Sequence, residues 1–330
     1  MYSDEDIASA VRAGVLTEHQ AEAFRQHVAD QRRTPAVDEE RFRLVTGFND
    51  IFVVVASLLL LASVTWIGYA QHHWLAGVLL AAASWGLAEF FVRRRRMALP
   101  AIVLLLGFVG GVGFAAYAWL GSTLAAFGYA SAMACVAAWL HWLRFHVPIT
   151  VAAGAGALLG VAGVVLFKSV PWTHEHPGLV EFSAGLIAFA LAMLWDASDP
   201  ARVTRRADVA FWLHLLAAPL LVRPVFAALG EYGSQSSPIL GLAAIALYAA
   251  IAAVSLAIDR RALMASALVY VLINFSALLK MYGVVSLGFA ITSLVIGSLL
   301  LLLSAFWHPC RSWMLSVFPE AALHRLPPLR

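Results

Sequence analysis

From residue 46 onward the chain alternates between long apolar runs and short polar or basic breaks. A helix that crosses a bilayer needs about 20 apolar residues at about 1.5 Å of rise each. Residues 46–92 form one run interrupted only by Gln71-His72-His73, which predicts two helices and a turn. Residues 98–143 form another, broken at Gly121-Ser122-Thr123, and predict two more. Single spans are predicted over 147–167, 179–196, 208–229 and 238–258, and a pair over 262–307 that turns near Lys280 to Gly283. The pattern is that of an all-α polytopic membrane bundle of about ten transmembrane helices over 46–307. It divides as five plus five, 46–167 and 179–307, and an odd number per half is the condition for inverted-topology repeats.

The flanks differ in kind. Residues 1–45 carry nine acids and six arginines, and their capping signals predict a small cytoplasmic helical hairpin. Ser3 with Asp6 opens a first helix whose Ile7 and Val11 share a face, and Gly14 stops it. Thr17 with Gln20 forms a capping box for a second, with Ala21, Phe24 and Val28 as its apolar stripe. The acidic Asp4-Glu5-Asp6 does not fit the start of a signal peptide. Residues 308–330 are expected to lie as an amphipathic cytoplasmic tail along the inner membrane surface, with Trp313, Leu315 and Phe318 beside Arg311.

Composition narrows the class. The chain is 62% hydrophobic and 12% charged, where soluble domains carry about 25% charged residues. That excludes a soluble globular enzyme, a disordered chain and a nucleic-acid binder. Its pI of about 9.0 reflects short basic clusters between the spans, not a nucleic-acid surface. With ten spans, 19 of the 22 basic residues fall on the side of the termini, and only Lys168, Arg223 and Lys280 on the other. The positive-inside rule then places both termini in the cytoplasm, in a multi-pass protein of the bacterial cytoplasmic (inner) membrane. Cys135 and Cys310 do not read as a disulfide framework. Gly107/Gly111 and Gly156/Gly160 suggest close helix packing by the third and fifth spans.

Ionisable residues inside spans are costly, so each is a candidate for function. Glu89 reads as a snorkelling ion pair with Arg93, Asp50 as a carboxylate at a helix N-terminus, and Asp196 and Asp208 as solvated span ends. The seventh span is richer, holding His214, Pro219, Arg223 and Pro224. Arg223 lies 15 residues from Asp208, roughly 22 Å into a ~30 Å core. Its expected partner is Glu181, which starts the sixth span at a similar depth; an arginine snorkelling from a kinked helix is the competing reading. Tyr270, Asn274 and Lys280 on the ninth span complete the proposed solute or ion pathway. His72-His73 and His174-Glu175-His176 match no zinc signature and read as solvated loop histidines, and Trp139-Leu140-His141-Trp142 as an inner aromatic belt. No enzymatic motif, catalytic residue, metal site or cofactor is expected.

The segment Ile7-Ala8-Ser9-Ala10-Val11-Arg12-Ala13-Gly14-Val15-Leu16-Thr17-Glu18-His19-Gln20-Ala21 resembles the opening of a family of uncharacterised bacterial multi-span membrane proteins. In that family a cytoplasmic helical hairpin precedes a run of membrane helices. The resemblance covers about 45 residues and implies neither an activity nor site residues. Two functions remain in view. One is a secondary transporter or channel-like protein for a small solute or ion. The other is a non-transporting scaffold or sensor whose hairpin docks a protein partner at the bilayer.

Overall fold

The computed structural model describes residues 4–32, 48–199, 204–231, 246, 249–257, 297–298 and 306–316. Among these residues the chain is helical throughout, with no strand. It separates into two units, one of residues 1–43 with Arg330 and one of residues 44–329.

The first unit contains α1 (Asp4–Arg12) and α2 (Glu18–Arg32). Gly14 takes a φ of 71° between them, a left-handed conformation that glycine adopts without penalty. The capping box of α2 forms as expected: the Gln20 amide donates to Thr17 Oγ1 at 3.2 Å, and the Thr17 amide donates to Gln20 Oε1 at 3.0 Å. Ile7 and Ala21 are buried, whereas Phe24 is exposed and does not continue the stripe.

Among the described residues of the second unit, seven helices are long and apolar enough to cross a membrane. They are α3 (Phe48–Gln71), α4 (His73–Ala88, continued by a π-helical turn Glu89–Arg94), α5 (Ala98–Leu120), α6 (Leu124–Phe145), α7 (Ile149–Ser169), α9 (Pro177–Ala197) and α10 (Arg205–Glu231). A four-residue α8 (Trp172–Glu175) precedes α9. Their bounds follow the first seven predicted spans within a few residues. Of the eighth, residues 246 and 249–257 are described and helical. The rest of that span, nearly all of the ninth and tenth, and the tail beyond Ser316 lie outside the described residues, as does Ser3. A short helix, Trp307–Leu315, begins where the last span was expected to end.

Consecutive spans pack as antiparallel neighbours. One end of the bundle therefore collects Asp50, Arg93–Arg96, Arg144, Asp196 and Arg205, and is called the arginine end below. Glu181, Arg223 and the loop histidines gather at the other. Small residues let the backbones approach. A Cβ on Gly111 of α5 would sit 2.7 Å from the Ala81 nitrogen and 2.8 Å from the Gly77 carbonyl oxygen of α4. The first GxxxG pair is thus a seam, as its spacing predicts. The second is not: Gly156 faces the Leu216 side chain of α10, while Gly160 faces Ser131 of α6. Two neighbours share those glycines, and neither helix gains a continuous groove. The core continues through Leu105, Val109, Ala137, Ala138 and Ile149 between α5, α6 and α7. A second cluster, Ala152, Ala192, Val209 and Leu213, joins α7, α9 and α10.

Candidate functional site

The chemistry concentrates where α9 meets α10. On α10 the residues Ala210, Leu213, His214, Ala217 and Ala218 recur at i, i+3, i+4, i+7 and i+8, and all five are buried. On α9 the matching stripe is Gly185, Ala188, Ala192 and Asp196. The two stripes meet closely, since a Cβ on Gly185 would lie 2.9 Å from Leu220 and Leu221 backbone atoms. His214 and Asp196 thus occupy positions that elsewhere in the seam belong to alanine, glycine or leucine.

Both are buried, at 0% and 8% exposure, and His214 Nε2 lies 2.9 Å from Asp196 Oδ2. The Phe189 ring meets the imidazole edge-on at 5.4 Å. Taking either polar group out of water alone costs several kcal/mol, and the hydrogen bond between them offsets much of that cost. This corrects the reading of Asp196 as a solvated span end. Chemically, an imidazole hydrogen-bonded to a carboxylate is a pair between which a proton can be held.

Just beyond His214 the helix is weakened. Pro219 and Pro224 lie inside α10, which remains helical through both. Each lacks the N–H that would bond the carbonyl four residues earlier, so the Leu215 and Leu220 carbonyls lose their helical donors. Leu215 is the next residue after His214, which puts the break beside the buried pair.

At the other end of the same two helices Arg223 meets Glu181. Its Nε donates to Oε1 at 2.6 Å and its Nη2 to Oε2, a two-pronged contact. The expected pairing therefore forms. Its setting differs from the expected bundle interior, because the Arg223 side chain is 63% exposed and that of Glu181 only 16%. At the arginine end Asp199 accepts from the Thr204 amide at 2.9 Å and the Thr204 hydroxyl at 2.6 Å, bridging the α9–α10 connection.

The other candidates fall into place around this seam. Glu89 pairs with Arg93 at 3.2 Å as expected, and also with Arg144 of α6 at 2.7 and 3.0 Å, which ties α4 to α6. Asp50 lies in the first turn of α3 and is buried. His141 is not a belt residue. It is fully buried, 3.3 Å from Thr150 Oγ1, among the rings of Trp85, Phe108 and Phe145. The loop histidines are stacked as well as solvated: His73 on Tyr69, and His176 on Trp172. Among the described residues no group of three His, Cys, Asp or Glu side chains is placed to hold a metal ion. Tyr270, Asn274 and Lys280 lie outside the described residues. Asp196 was legible in principle, because it extends the small-residue stripe of Gly185, Ala188 and Ala192 by one further turn.

No protein-family model, no curated protein and no solved structure matches the chain. The seven apolar helices make it a membrane protein of the multi-pass helical class.

Proposed function

We propose that the chain is a secondary transporter or channel-like protein for a small solute or ion, with the α9–α10 seam as its pathway and Asp196–His214 as its proton-exchanging group. One observation carries this reading: a buried carboxylate–imidazole pair on a small-residue seam, beside a proline that interrupts the backbone bonding of α10. Ionisable groups kept inside a membrane bundle are costly, and proton relays are a common reason for their presence. Helices with interrupted bonding are where transporters place their binding sites. The Arg223–Glu181 pair at the far end of the same helices would close or steer the pathway there. In this reading the arginine end faces the cytoplasm of a bacterial inner membrane, and 238–307 supplies the three remaining spans, with Tyr270, Asn274 and Lys280 as further pathway candidates.

The scaffold reading keeps one observation of its own. Residues 1–43 form a unit separate from the helical bundle, with Val15 and Phe24 exposed. Such a unit suits a docking role for a protein partner.

The test is proton flux into liposomes containing the full chain and a trapped pH-sensitive dye, driven by a potassium diffusion potential. The wild-type chain should acidify or alkalinise the lumen according to the sign of the potential, and Asp196→Asn should abolish the response. A wild-type chain as tight as empty liposomes would remove the proton-linked reading and favour the scaffold.

A further inference from the structure

The four consecutive arginines after α4 do not share one task. Arg93 is held by Glu89, whose carboxylate also takes both prongs of Arg144. That single acid is therefore already matched by two guanidiniums. The helix then widens into its π turn, with the Arg95 amide bonded to the Phe90 carbonyl at 3.1 Å and the Met97 amide to the Phe91 carbonyl at 3.1 Å. Arg96 takes a left-handed φ of 54° and turns the chain into α5. Arg94, Arg95 and Arg96 are all exposed, and among the described residues neither Arg94 nor Arg96 has a carboxylate partner. A compact patch of uncompensated positive charge stands at the end of a membrane helix.

A second feature adjoins it. The Arg95 guanidinium lies 5.6 Å above the Phe90 ring, and Phe90 meets Phe91 edge-on at 5.0 Å. Phe91 and Leu87 form one wall of an apolar groove of about 280 Å³, and Phe52, Ala56 and Leu60 of α3 form the other. Along α3 the groove runs from Asn49 to Leu60. At 1.5 Å per residue this is roughly 16 Å, about the depth of one leaflet of a ~30 Å core. Cation, ring, ring and groove are thus continuous from the membrane edge inward.

We propose that this is a binding site for an anionic phospholipid, with its headgroup phosphate on Arg94, Arg95 and Arg96 and one acyl chain in the α3–α4 groove. The excess of guanidinium over carboxylate favours a headgroup of net negative charge over a zwitterionic one. The leaflet-long apolar slot favours a lipid over a free phosphate. The proposal does not depend on whether the chain transports anything.

The test uses the full chain in nanodiscs of phosphatidylcholine, with and without phosphatidylglycerol. Lipid retained on the protein is counted by native mass spectrometry, and thermal stability is read alongside. The wild-type chain should retain phosphatidylglycerol in preference and melt higher in its presence. The triple substitution Arg94→Gln/Arg95→Gln/Arg96→Gln should weaken that preference by roughly a hundredfold, given about fivefold for each arginine at the surface. Ala56→Phe, which fills the groove and leaves every arginine in place, should also lose the retained lipid. Soluble glycerophosphate should produce no shift. Undiminished preference in the triple variant, or unchanged retention in Ala56→Phe, overturns the proposal. A glycerophosphate shift equal to that of the lipid would make the site a free-anion site instead. Should the triple variant fail to fold, spin-labelled phosphatidylglycerol on the wild-type chain decides: an immobilised fraction that resists excess phosphatidylcholine supports the site, and free exchange overturns it.

Discussion

The two polar contacts of the α9–α10 seam differ in what surrounds them, and their energetics should differ accordingly. His214 and Asp196 are both buried, so removing one partner strands the other in an apolar seam. His214→Ala and Asp196→Ala should each cost about 3–5 kcal/mol, and the double substitution should cost clearly less than their sum. Glu181 and Arg223 meet with the arginine largely exposed, so the same cycle at that pair should give a smaller coupling. Thermal unfolding in one detergent measures both cycles. Equal couplings, or a larger one at Arg223, would mean that burial does not set the strength of these contacts. The pairing of Arg223 with Glu181 was legible because depth in the membrane can be counted along a helix from either end. Asp196 was not read correctly because the same counting puts it at a span end, where side chains are ordinarily wet. The small-residue stripe that Asp196 extends was visible in the sequence, but that the stripe of α10 lies against it and keeps it dry is a tertiary property.

Elements were legible where chemistry interrupts hydrophobicity. Gln71-His72-His73, Gly121-Ser122-Thr123 and the arginines after α4 mark real helix ends, because a bilayer-crossing run has few other reasons to carry such residues. Packing between elements was legible only in part. The Gly107/Gly111 spacing predicts a close seam and α4 supplies it, whereas the same spacing at Gly156/Gly160 is divided between two neighbours. Spacing shows which face is flat, not what lies against it. A paired substitution separates the two cases. Gly111→Ala places a methyl 2.7 Å from a backbone nitrogen and should cost about 1–3 kcal/mol. Gly110→Ala, where the added carbon meets nothing within 4 Å, should be neutral or slightly stabilising, since alanine favours helix over glycine. Equal effects would place the α4–α5 contact elsewhere.

At the scale of the whole molecule, the ten-span expectation and the positive-inside rule together make a topological prediction. Reporter fusions after Arg96, Arg206 and Arg261 should report one compartment, the cytoplasm, and fusions at Glu175 and Gln235 the other. A reversal at Arg261 alone would leave the seven described spans intact and change the count only beyond them. What the sequence could not reach is whether the assembled bundle is dry throughout or opens to water along one seam. That depends on how helices face one another, and it separates a carrier from a scaffold. Ala217 lies on the α9-facing stripe one turn beyond His214 and is fully buried. The decisive measurement is the reaction of Ala217→Cys, in a chain whose Cys135 and Cys310 are replaced by alanine, with a small membrane-impermeant thiol reagent added from either side of sealed vesicles. A pathway through the seam predicts reaction from both sides, slowed by Asp196→Asn; protection from one side or from both would contradict it.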